Sequence, residues 1–469
     1  MTYALPRSTP SEQGFDAQGI LAFLRAMQDE NLELHSFMLL RHGHVVAEGW
    51  YDPYGPDRPH SLFSLSKSFT STAVGFAVAE GKLSVDDFVL SFFPEYITPE
   101  IKDNMSEMRV KHLLSMSTGH KNDTTGLLRA EPEGDWVKAF LTAPIEYEPG
   151  THFLYNSGAT YMLSAIVQRV TGQTLVQYLT PRLFAPLHIE NATWETCPRG
   201  VNAGGWGLSI KTEDIAKFGQ LYLDDGIWLG EQLLPVGWVK EATSFHVSNG
   251  DDANSDWAQG YGYQFWRCRH NVYRGDGAFG QYCVVMPEQD AVVAITSAVG
   301  NMQAVLNGIW KHILPAMLSS AKDDELAQVL AGLNIDAPTG TTQPMLATVI
   351  SGKRFELEPC GAIRSVTFAF NEEKCVATVD YEAGSQCITI GHGRWVEGET
   401  TMFANVTRRV VSAGAWRDDH TYVAIVRLVE TPFYYTIKCM FDDQTVLIDN
   451  RVNVGFGDRE PATFKGRLA

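Results

Sequence analysis

Hydrophobic and polar positions follow alternating helical and strand periods over the first 320 residues of the chain. Ser36 to Tyr51 predicts two strands joined by a short turn, and Tyr282 to Ala298 predicts another such pair. Leu65 to Glu80 is apolar almost all round and is followed by Gly81, which predicts a buried helix closed by a glycine. The pattern therefore indicates a mixed domain of helices and strands.

Three further helices are predicted in the same region. One runs from Gly158 to Gly172, and another covers Val305 to Leu318. Between them, Thr212 is the expected N-cap of a helix that carries Glu213 and its acidic neighbour in the first turn, where negative charge is favourable.

The pattern changes after about residue 320. Residues 321–342 are polar and predict a short helix and a linker, whereas residues 343–469 contain short strands separated by turns. Regular short strands are typical of an antiparallel barrel or sandwich, with the alternating aromatic residues in its core. The predicted organisation is a mixed domain (1–320), a linker (321–342) and an all-β domain (343–469).

Composition and charge exclude several classes of function. A formal net charge of -18 disfavours nucleic-acid binding, because it repels phosphate backbones. No secretory signal or membrane-spanning stretch is found, and the seven cysteines form no CxxC pair. HExxH is also absent. We therefore expect a cytoplasmic protein with reduced thiols, no bound metal and no membrane partner.

The stretch HSLFSLSKSF places Ser64 three residues before Lys67, at the start of the predicted buried helix. This spacing puts both side chains on one helix face. A serine hydroxyl needs a base to become a nucleophile, and burial lowers the pKa of a lysine until it can serve as one. The motif alone is weak, since a capping serine with a solvated lysine gives the same letters. A lysine buried without a partner is costly, which favours a functional role.

Five separated segments resemble the serine β-lactamase and penicillin-binding-protein superfamily, most closely its class C-like branch with esterases and amidases. They are SLFSLSKSFTSTAVGFAVAEGKLSVDD, VKHLLSMSTG, EPGTHFLYNSGATYMLSAIVQRVTG, AGGWGLSIKTEDIAKFGQLYL and GDGAFGQYCVVMPEQDAVVAI. The resemblance covers roughly residues 10–320 in the right order. It implies an α/β (α+β) fold, with an antiparallel sheet flanked by helices and an all-helical subdomain. GxSxG, the nucleophile elbow of a rival hydrolase fold, is absent.

The resemblance implies a role for each residue of the site. Ser64 would be the nucleophile, Lys67 would hold or relay its proton, and Tyr155 would act as base or acid, with a pKa lowered by the neighbouring ammonium. The backbone N–H groups of Ser64 and Ala278 would bind the oxyanion. Gly277 would let the substrate approach the strand closely.

Two departures from the family pattern concern substrate binding. Ser157 stands where the second motif usually has Asn, which favours an esterase or amidase over a β-lactamase. The third motif aligns with Gly275-Asp276-Gly277, so the usual cation is missing. Arg274 is a candidate replacement, although it is equally compatible with a solvated strand residue. Trp206 is expected either to line the pocket or to anchor its loop.

We therefore expect a serine hydrolase that cleaves a small-molecule ester or amide through an acyl-serine intermediate, without a metal or organic cofactor. Two alternatives stay open. One is a D-amino-acid peptidase or transpeptidase, which would prefer D-configured amides to plain esters. The other is a binding or scaffold protein with a vestigial site. By analogy with hydrolases that carry a lipocalin-like barrel, the last domain could restrict access to the site. The oligomeric state is left open.

Overall fold

The computed structural model describes residues 4–317, 323–341, 343–403, 406–457 and 459–469. The chain divides into two compact units. The first contains the residues up to 49 and residues 59–332, and the second contains residues 50–58 and 333–469.

The first unit is built on an antiparallel sheet. In chain order, the strands up to residue 297 are β1 (Leu34–Arg41), β2 (His44–Trp50), β3 (His60–Ser61), β4 (Thr193–Trp194), β5 (Leu208–Ile210), β6 (Ile227–Trp228), β7 (Glu231–Gln232), β8 (Trp266–Arg267), β9 (Tyr273–Gly277), β10 (Gln281–Met286) and β11 (Ala291–Ser297). Six of them form the main sheet in the order β2-β1-β11-β10-β9-β8. Strands β10 and β11 are buried along their whole length, so both faces of the sheet are covered there.

Helices surround this sheet. In the described residues they are α1 (Ala17–Asp29), α2 (Ser66–Ala79), α3 (Pro99–Met105), α4 (Val110–Leu114), α5 (Thr125–Ala130), α6 (Trp136–Thr142), α7 (Ser157–Thr171), α8 (Leu175–Leu179), α9 (Thr212–Leu223), α10 (Trp238–Thr243), α11 (Met302–Gly308), α12 (Leu314–Ala316) and α13 (Asp323–Ala331). Helices α3 to α8 follow one another without an intervening strand. The expected antiparallel sheet with flanking helices is confirmed.

Helix α2 is the buried helix that the sequence predicts. It begins after a 3-10 turn at Phe63–Leu65 and is buried from Ser66 to Ala77. Gly81 has a φ of 66°, a left-handed conformation that glycine adopts without strain. Helix α7 likewise ends before Gly172, at a φ of 72°. Both helix ends agree with the sequence pattern.

The predicted N-cap at Thr212 is wrong by one residue. Lys211 is the N-cap of α9, and its backbone N–H donates to the carboxylate of Asp214 at 3.1 Å. The Thr212 hydroxyl is instead hydrogen-bonded to Ser36 Oγ at 2.7 Å, on the neighbouring strand β1. A tertiary contact therefore takes the side chain that the local pattern assigned to capping.

The second unit contains one helix, α14 (Met345–Ile350), and ten strands among its described residues. The strands are β12 (Arg354–Cys360), β13 (Ile363–Phe370), β14 (Lys374–Tyr381), β15 (Gly384–His392), β16 (Val396–Thr400), β17 (Arg408–Trp416), β18 (Thr421–Leu428), β19 (Tyr434–Phe441), β20 (Thr445–Val452) and β21 (Ala462–Leu468). They are ordered β15-β14-β13-β12-β21-β20-β19-β18-β17-β16. A parallel pairing of β15 with β17 closes nine of them into a barrel, with β16 attached to β17.

An aromatic cluster fills one end of this barrel. The ring of Phe370 lies 5.1 Å from those of Trp416 and Tyr422, measured between ring centroids. Phe441 lies 5.8 Å from Trp416 and completes the cluster. The prediction of a barrel or sandwich is thus resolved in favour of a barrel with an aromatic core.

The division between the units falls at residues 332 and 333, inside the predicted linker. Helix α13 belongs to the first unit, and residues 50–58 belong to the second. Backbone hydrogen bonds explain the second assignment. The Asp52 N–H donates to the Leu333 carbonyl at 3.3 Å, and the Ile335 N–H donates to the Asp52 carbonyl at 2.8 Å.

Free thiols occur in the described residues, but neither a membrane-spanning helix nor a metal-holding cluster does. No helix there combines the length and apolar character needed to cross a bilayer. Six described cysteine side chains are free thiols. Within the same residues, no group of three or more His, Cys, Asp or Glu side chains is arranged to hold a metal ion.

Candidate active site

Ser64 and Lys67 lie at the start of the buried helix α2. Ser64 is in the 3-10 turn that precedes the helix and is half-buried, so a small molecule has access to its hydroxyl. Lys67 lies one turn later and is 1% exposed. Phe63, directly before the serine, has a φ of 48°, which is uncommon for a bulky residue and typical of a constrained site.

The ammonium of Lys67 makes three hydrogen bonds, which is its full donor capacity. Nζ lies 2.9 Å from Ser64 Oγ, 3.0 Å from Ser157 Oγ and 2.7 Å from the carbonyl oxygen of Gly205. Burial lowers the pKa of Lys67 to about 7, although the carboxylates of Asp123 and Asp276 act in the opposite direction. Lys67 is therefore poised to exchange a proton near neutral pH.

Tyr155 lies against both of these residues. Lys67 Nζ lies 4.7 Å from the centroid of its ring, and the Ser64 hydroxyl interacts with the phenol. Trp266 stacks on the same ring, at 5.1 Å between ring centroids. The expected lowering of the Tyr155 pKa is wrong, because burial raises this pKa well above its ordinary value and Asp276 raises it further. The phenol is therefore protonated and available as a proton donor.

In the segment Tyr155-Asn156-Ser157, the asparagine has a structural role and the serine contacts the lysine of the site. Asn156 is fully buried and is the N-cap of α7, with Oδ1 accepting from Gly158 N–H at 3.1 Å and from the Thr124 hydroxyl at 2.8 Å. Ser157 is the first residue of α7 and is the one that contacts Lys67. The position that carries Asn in the family pattern thus retains a hydrogen bond to the lysine.

Two glycines allow strand β9 to lie directly against the serine turn. A Cβ added at Gly277 would be 2.0 Å from the carbonyl oxygen of Leu62, and one at Gly275 would be 2.5 Å from Leu65 Cδ1. At Gly277 the close atom is backbone, so no larger residue fits there without moving the strand, whereas at Gly275 the end of the Leu65 side chain would have to shift. Because Ala278 follows Gly277, this close packing holds its backbone beside the turn that contains Ser64.

Arg274 and Asp276 form a buried ion pair in the same strand. Arg274 is 0% exposed and Asp276 5%, and Arg274 Nε donates to Asp276 Oδ2 at 2.8 Å. The guanidinium also donates to the carbonyl oxygen of Asp256 at 2.7 Å and lies over the ring of Trp257 at 4.4 Å. The idea that Arg274 replaces the missing substrate-binding cation is therefore wrong, since its charge is enclosed and already paired.

Trp206 lies next to the site through its backbone. It follows Gly205, whose carbonyl oxygen binds Lys67, and its own carbonyl oxygen accepts from Trp194 Nε1 at 2.8 Å. The half-buried indole ring is 5.7 Å from Trp136, and the exposed guanidinium of Arg129 lies over it at 4.9 Å. The loop-anchor interpretation thus has direct support, and the residue stays partly exposed.

Sequence reasoning missed three contributors: Gly205, Asp123 and Trp266. The first acts through its backbone carbonyl, which leaves no trace in residue type. Asp123 accepts from Ser157 N–H at 3.1 Å and bears on the Lys67 pKa. Trp266 stacks on Tyr155. They come from three loops and strands that are distant in sequence, so no local pattern could have grouped them.

An antiparallel sheet covered by helices, with a serine–lysine–tyrosine cluster at the start of a buried helix, defines a β-lactamase-like class of protein. The chain belongs to the Beta-lactamase family, whose model matches residues 25–310. It is 29% identical over 285 residues to the 6-aminohexanoate-dimer hydrolase of Paenarthrobacter ureafaciens, covering 56% of this chain and 72% of that protein.

Two other similarities extend this result. A putative D-alanyl-D-alanine carboxypeptidase of Escherichia coli (strain K12) is 26% identical over 153 residues, which cover 30% of this chain and only 35% of the relative. The octameric penicillin-binding protein homologue from Pyrococcus abyssi has a similar fold, with a TM-score of 0.52 at 15% identity, covering 96% of this chain and 99% of that one. The family and its hydrolase relatives support a serine hydrolase in general terms.

Proposed function

We propose that the protein hydrolyses a small ester or amide through an acyl intermediate on Ser64. The observation that carries the proposal is the set of three hydrogen bonds around Lys67 Nζ. A neutral amine has two N–H donors and one lone pair. If the donors are used on Gly205 and Ser157, the lone pair is directed at the Ser64 hydroxyl, as a general base requires.

In the first step, Ser64 Oγ forms a bond to the substrate carbonyl carbon while Lys67 takes the hydroxyl proton. The carbonyl oxygen becomes an oxyanion, which the N–H groups of Ser64 and Ala278 would stabilise. The bond to the leaving group then breaks, and Tyr155 gives that group its proton. The proton held by Lys67 restores the phenol.

Water completes the cycle. It attacks the acyl carbon and its proton passes to Lys67. The bond to Ser64 Oγ then breaks as the carboxylic acid leaves, and Lys67 returns the proton to Ser64 Oγ. A protonated Tyr155 suits this scheme, because its raised pKa keeps the proton in place until a more basic leaving group develops. No metal or organic cofactor is required by any step.

The surrounding charges disfavour an anionic acyl group. Asp276 neutralises Arg274, and both carboxylates that influence Lys67 are negative. A substrate carboxylate placed here would meet no unpaired buried cation of strand β9. The hydrolase relative named for a 6-aminohexanoate dimer supports an amide as well as an ester substrate.

The test is hydrolysis of p-nitrophenyl acetate by the full-length protein and by Ser64→Ala, with intact-mass detection of an acetyl adduct. We expect the variant to lose both turnover and adduct, with a rate loss of up to about 10⁶-fold. Ser61→Ala, three residues earlier, is the matched control and should retain both. Neither turnover nor adduct in the parent protein would favour the vestigial scaffold. A fully active Ser64→Ala would exclude this nucleophile.

A D-amino-acid peptidase is the second candidate, and Arg129 is the observation that favours it. Its exposed guanidinium lies over Trp206, where it could receive the terminal carboxylate of a peptide. The relative described as a putative D-alanyl-D-alanine carboxypeptidase agrees with this alternative. A preference for D-configured amides with a free carboxylate over neutral esters would establish it.

A further inference from the structure

Two phenylalanines flank the proposed oxyanion hole in an uncommon backbone conformation. Phe63 directly precedes Ser64 and has a φ of 48°, while Phe279 directly follows Ala278 and has a φ of 67°. Their rings meet edge to face, with the centroids 5.5 Å apart. A left-handed conformation is unfavourable for a bulky residue, and such strain persists only where surrounding contacts impose it. Its occurrence beside both proposed donors therefore indicates that further groups hold this geometry in place.

The turn that contains Ala278 and Phe279 joins strands β9 and β10, and its carbonyl groups are bonded to the sheet. Ser297 Oγ lies 2.8 Å from the Phe279 carbonyl oxygen and 2.7 Å from that of Gly280, so its single proton is shared between two acceptors. The Val299 N–H also donates to the Phe279 carbonyl oxygen, at 3.0 Å. A Cβ added at Gly280 would lie 2.1 Å from Ser297 Oγ. The hydroxyl is therefore packed directly against the turn.

Gln281 holds the first carbonyl group of the same turn. Its Nε2 donates to the carbonyl oxygens of Ala278 at 3.0 Å and of Ser297 at 2.9 Å, and its Oε1 accepts from the Ser297 N–H at 3.1 Å. Gln281 and Ser297 are both 0% exposed. Gln281 is the first residue of β10 and Ser297 is the last residue of β11, so two neighbouring strands of the main sheet fix the turn.

We propose that Ser297 and Gln281 are positioning residues of the oxyanion hole, which hold the turn so that the Ala278 N–H faces the carbonyl oxygen of the substrate. This inference rests on the proposed acyl-serine function. The hydrogen bonds to the carbonyl groups that follow Ala278 keep Phe279 in its left-handed conformation. Without them Phe279 is free to relax to a negative φ, and the accompanying rotation of the turn displaces the neighbouring N–H.

The test compares two neighbouring hydroxyl groups of β11 in the full-length protein. Ser297→Ala removes the hydroxyl that holds the turn. Thr296→Val is the matched control, because it removes a similarly buried hydroxyl that points to the opposite face of the strand and is bonded to Ser36 Oγ at 2.6 Å. Both variants lose a buried hydrogen bond, so both should unfold at a lower temperature. Only Ser297→Ala should lower kcat and kcat/KM for p-nitrophenyl acetate, both by about 10- to 100-fold with KM little changed, since a displaced donor acts on the transition state.

A tetrahedral inhibitor distinguishes the oxyanion hole from the rest of the site. Phenylboronic acid binds when Ser64 Oγ forms a bond to boron and the hydroxyl proton passes to Lys67, which leaves a negatively charged boronate with one oxygen in the oxyanion hole. Its Ki should rise in Ser297→Ala by about the same factor as kcat/KM falls. Gln281→Met keeps the length of the side chain but removes its hydrogen bonds, and it should give the same pattern even if Ser297→Ala does not fold.

Three results would overturn the inference: full kcat/KM in a folded Ser297→Ala or Gln281→Met, an equal loss of kcat/KM in Thr296→Val, or a loss of rate with an unchanged Ki for phenylboronic acid. A parent protein that forms neither an acetyl nor a boronate adduct would overturn the acyl-serine function itself, and the inference with it. The adducts of the parent protein therefore distinguish the failure of the proposed function from the failure of the inference alone.

Discussion

Around Lys67 the first unit buries charged groups with their partners, whereas the barrel of the second unit buries mainly apolar side chains and leaves a cavity. Lys67 is 1% exposed and has three acceptors, and Asp276 is paired with Arg274. In the barrel, Asn450 Oδ1 has no partner in the described part of the chain. Paired buried charges hold a reactive geometry, whereas a buried amide oxygen without a partner only costs stability.

Replacing the buried lysine of the active site by an apolar side chain, like those inside the barrel, should have the largest effect on activity. Lys67→Met removes the proposed base, so we expect kcat/KM for p-nitrophenyl acetate to fall by about 10²–10⁴-fold. Lys217→Met is a matched control, because Lys217 is also buried, at 4% exposure, and is paired with Asp214 on α9. Equal losses of activity in two folded variants would show that burial of a lysine, and not its place beside Ser64, governs the rate.

The active site is tightly packed, in contrast to the barrel with its cavity, so adding a single methyl group at the site should reduce activity. Gly277→Ala places a Cβ 2.0 Å from the Leu62 carbonyl oxygen, which forces β9 away from the serine turn. We expect a loss of about 10²–10³-fold in kcat, the cost of one oxyanion donor, from displacement of the Ala278 N–H. Gly300→Ala, where nothing lies within 4 Å, should be harmless. Full activity of Gly277→Ala would remove Ala278 from the proposed oxyanion hole.

The smallest expected effect is the pH dependence of kcat/KM, which arises because the active site contains a titrating lysine whereas the barrel interior is apolar. Lys67 must be neutral to accept a proton, and its pKa is about 7. The value of kcat/KM should therefore rise about tenfold per pH unit below 7 and level off above it. A profile that stays flat between pH 5.5 and 8.5 would contradict Lys67 as the base. Ser61→Ala should follow the same curve as the parent protein.

The same shift predicts the sign of a stability change. The folded pKa of Lys67 lies below the ordinary value of 10.5, so between pH 7 and 10.5 the unfolded chain binds more protons than the folded one. The contribution of Lys67 to folding is therefore fully present above pH 10.5 and is lost as the pH falls through 7. The cost of burying the lysine is thus largest where it is protonated.

Local patterns predicted the elements that local interactions form. Helix α2 and the hairpin of β10 and β11 were found because their apolar periods are complete. The Thr212 cap was wrong because its hydroxyl bonds to β1, which lies 176 residues away in sequence. The pairing of β12 with β21 joins the first and last strands of the second unit, and no local pattern predicts it.

The sequence by itself determined the class of fold, the Ser64–Lys67 pair and the order of the motifs. These depend on residue types, on short spacings and on the order of segments, all of which can be read along the chain. Tertiary structure alone decided the charge state of the site. Burial raises the pKa of Tyr155, and Asp276 pairs with Arg274. The Gly205 carbonyl oxygen provides the third hydrogen-bond partner of Lys67. Desolvation and pairing depend on which distant segments cover a group, and that information exists only once the chain has folded.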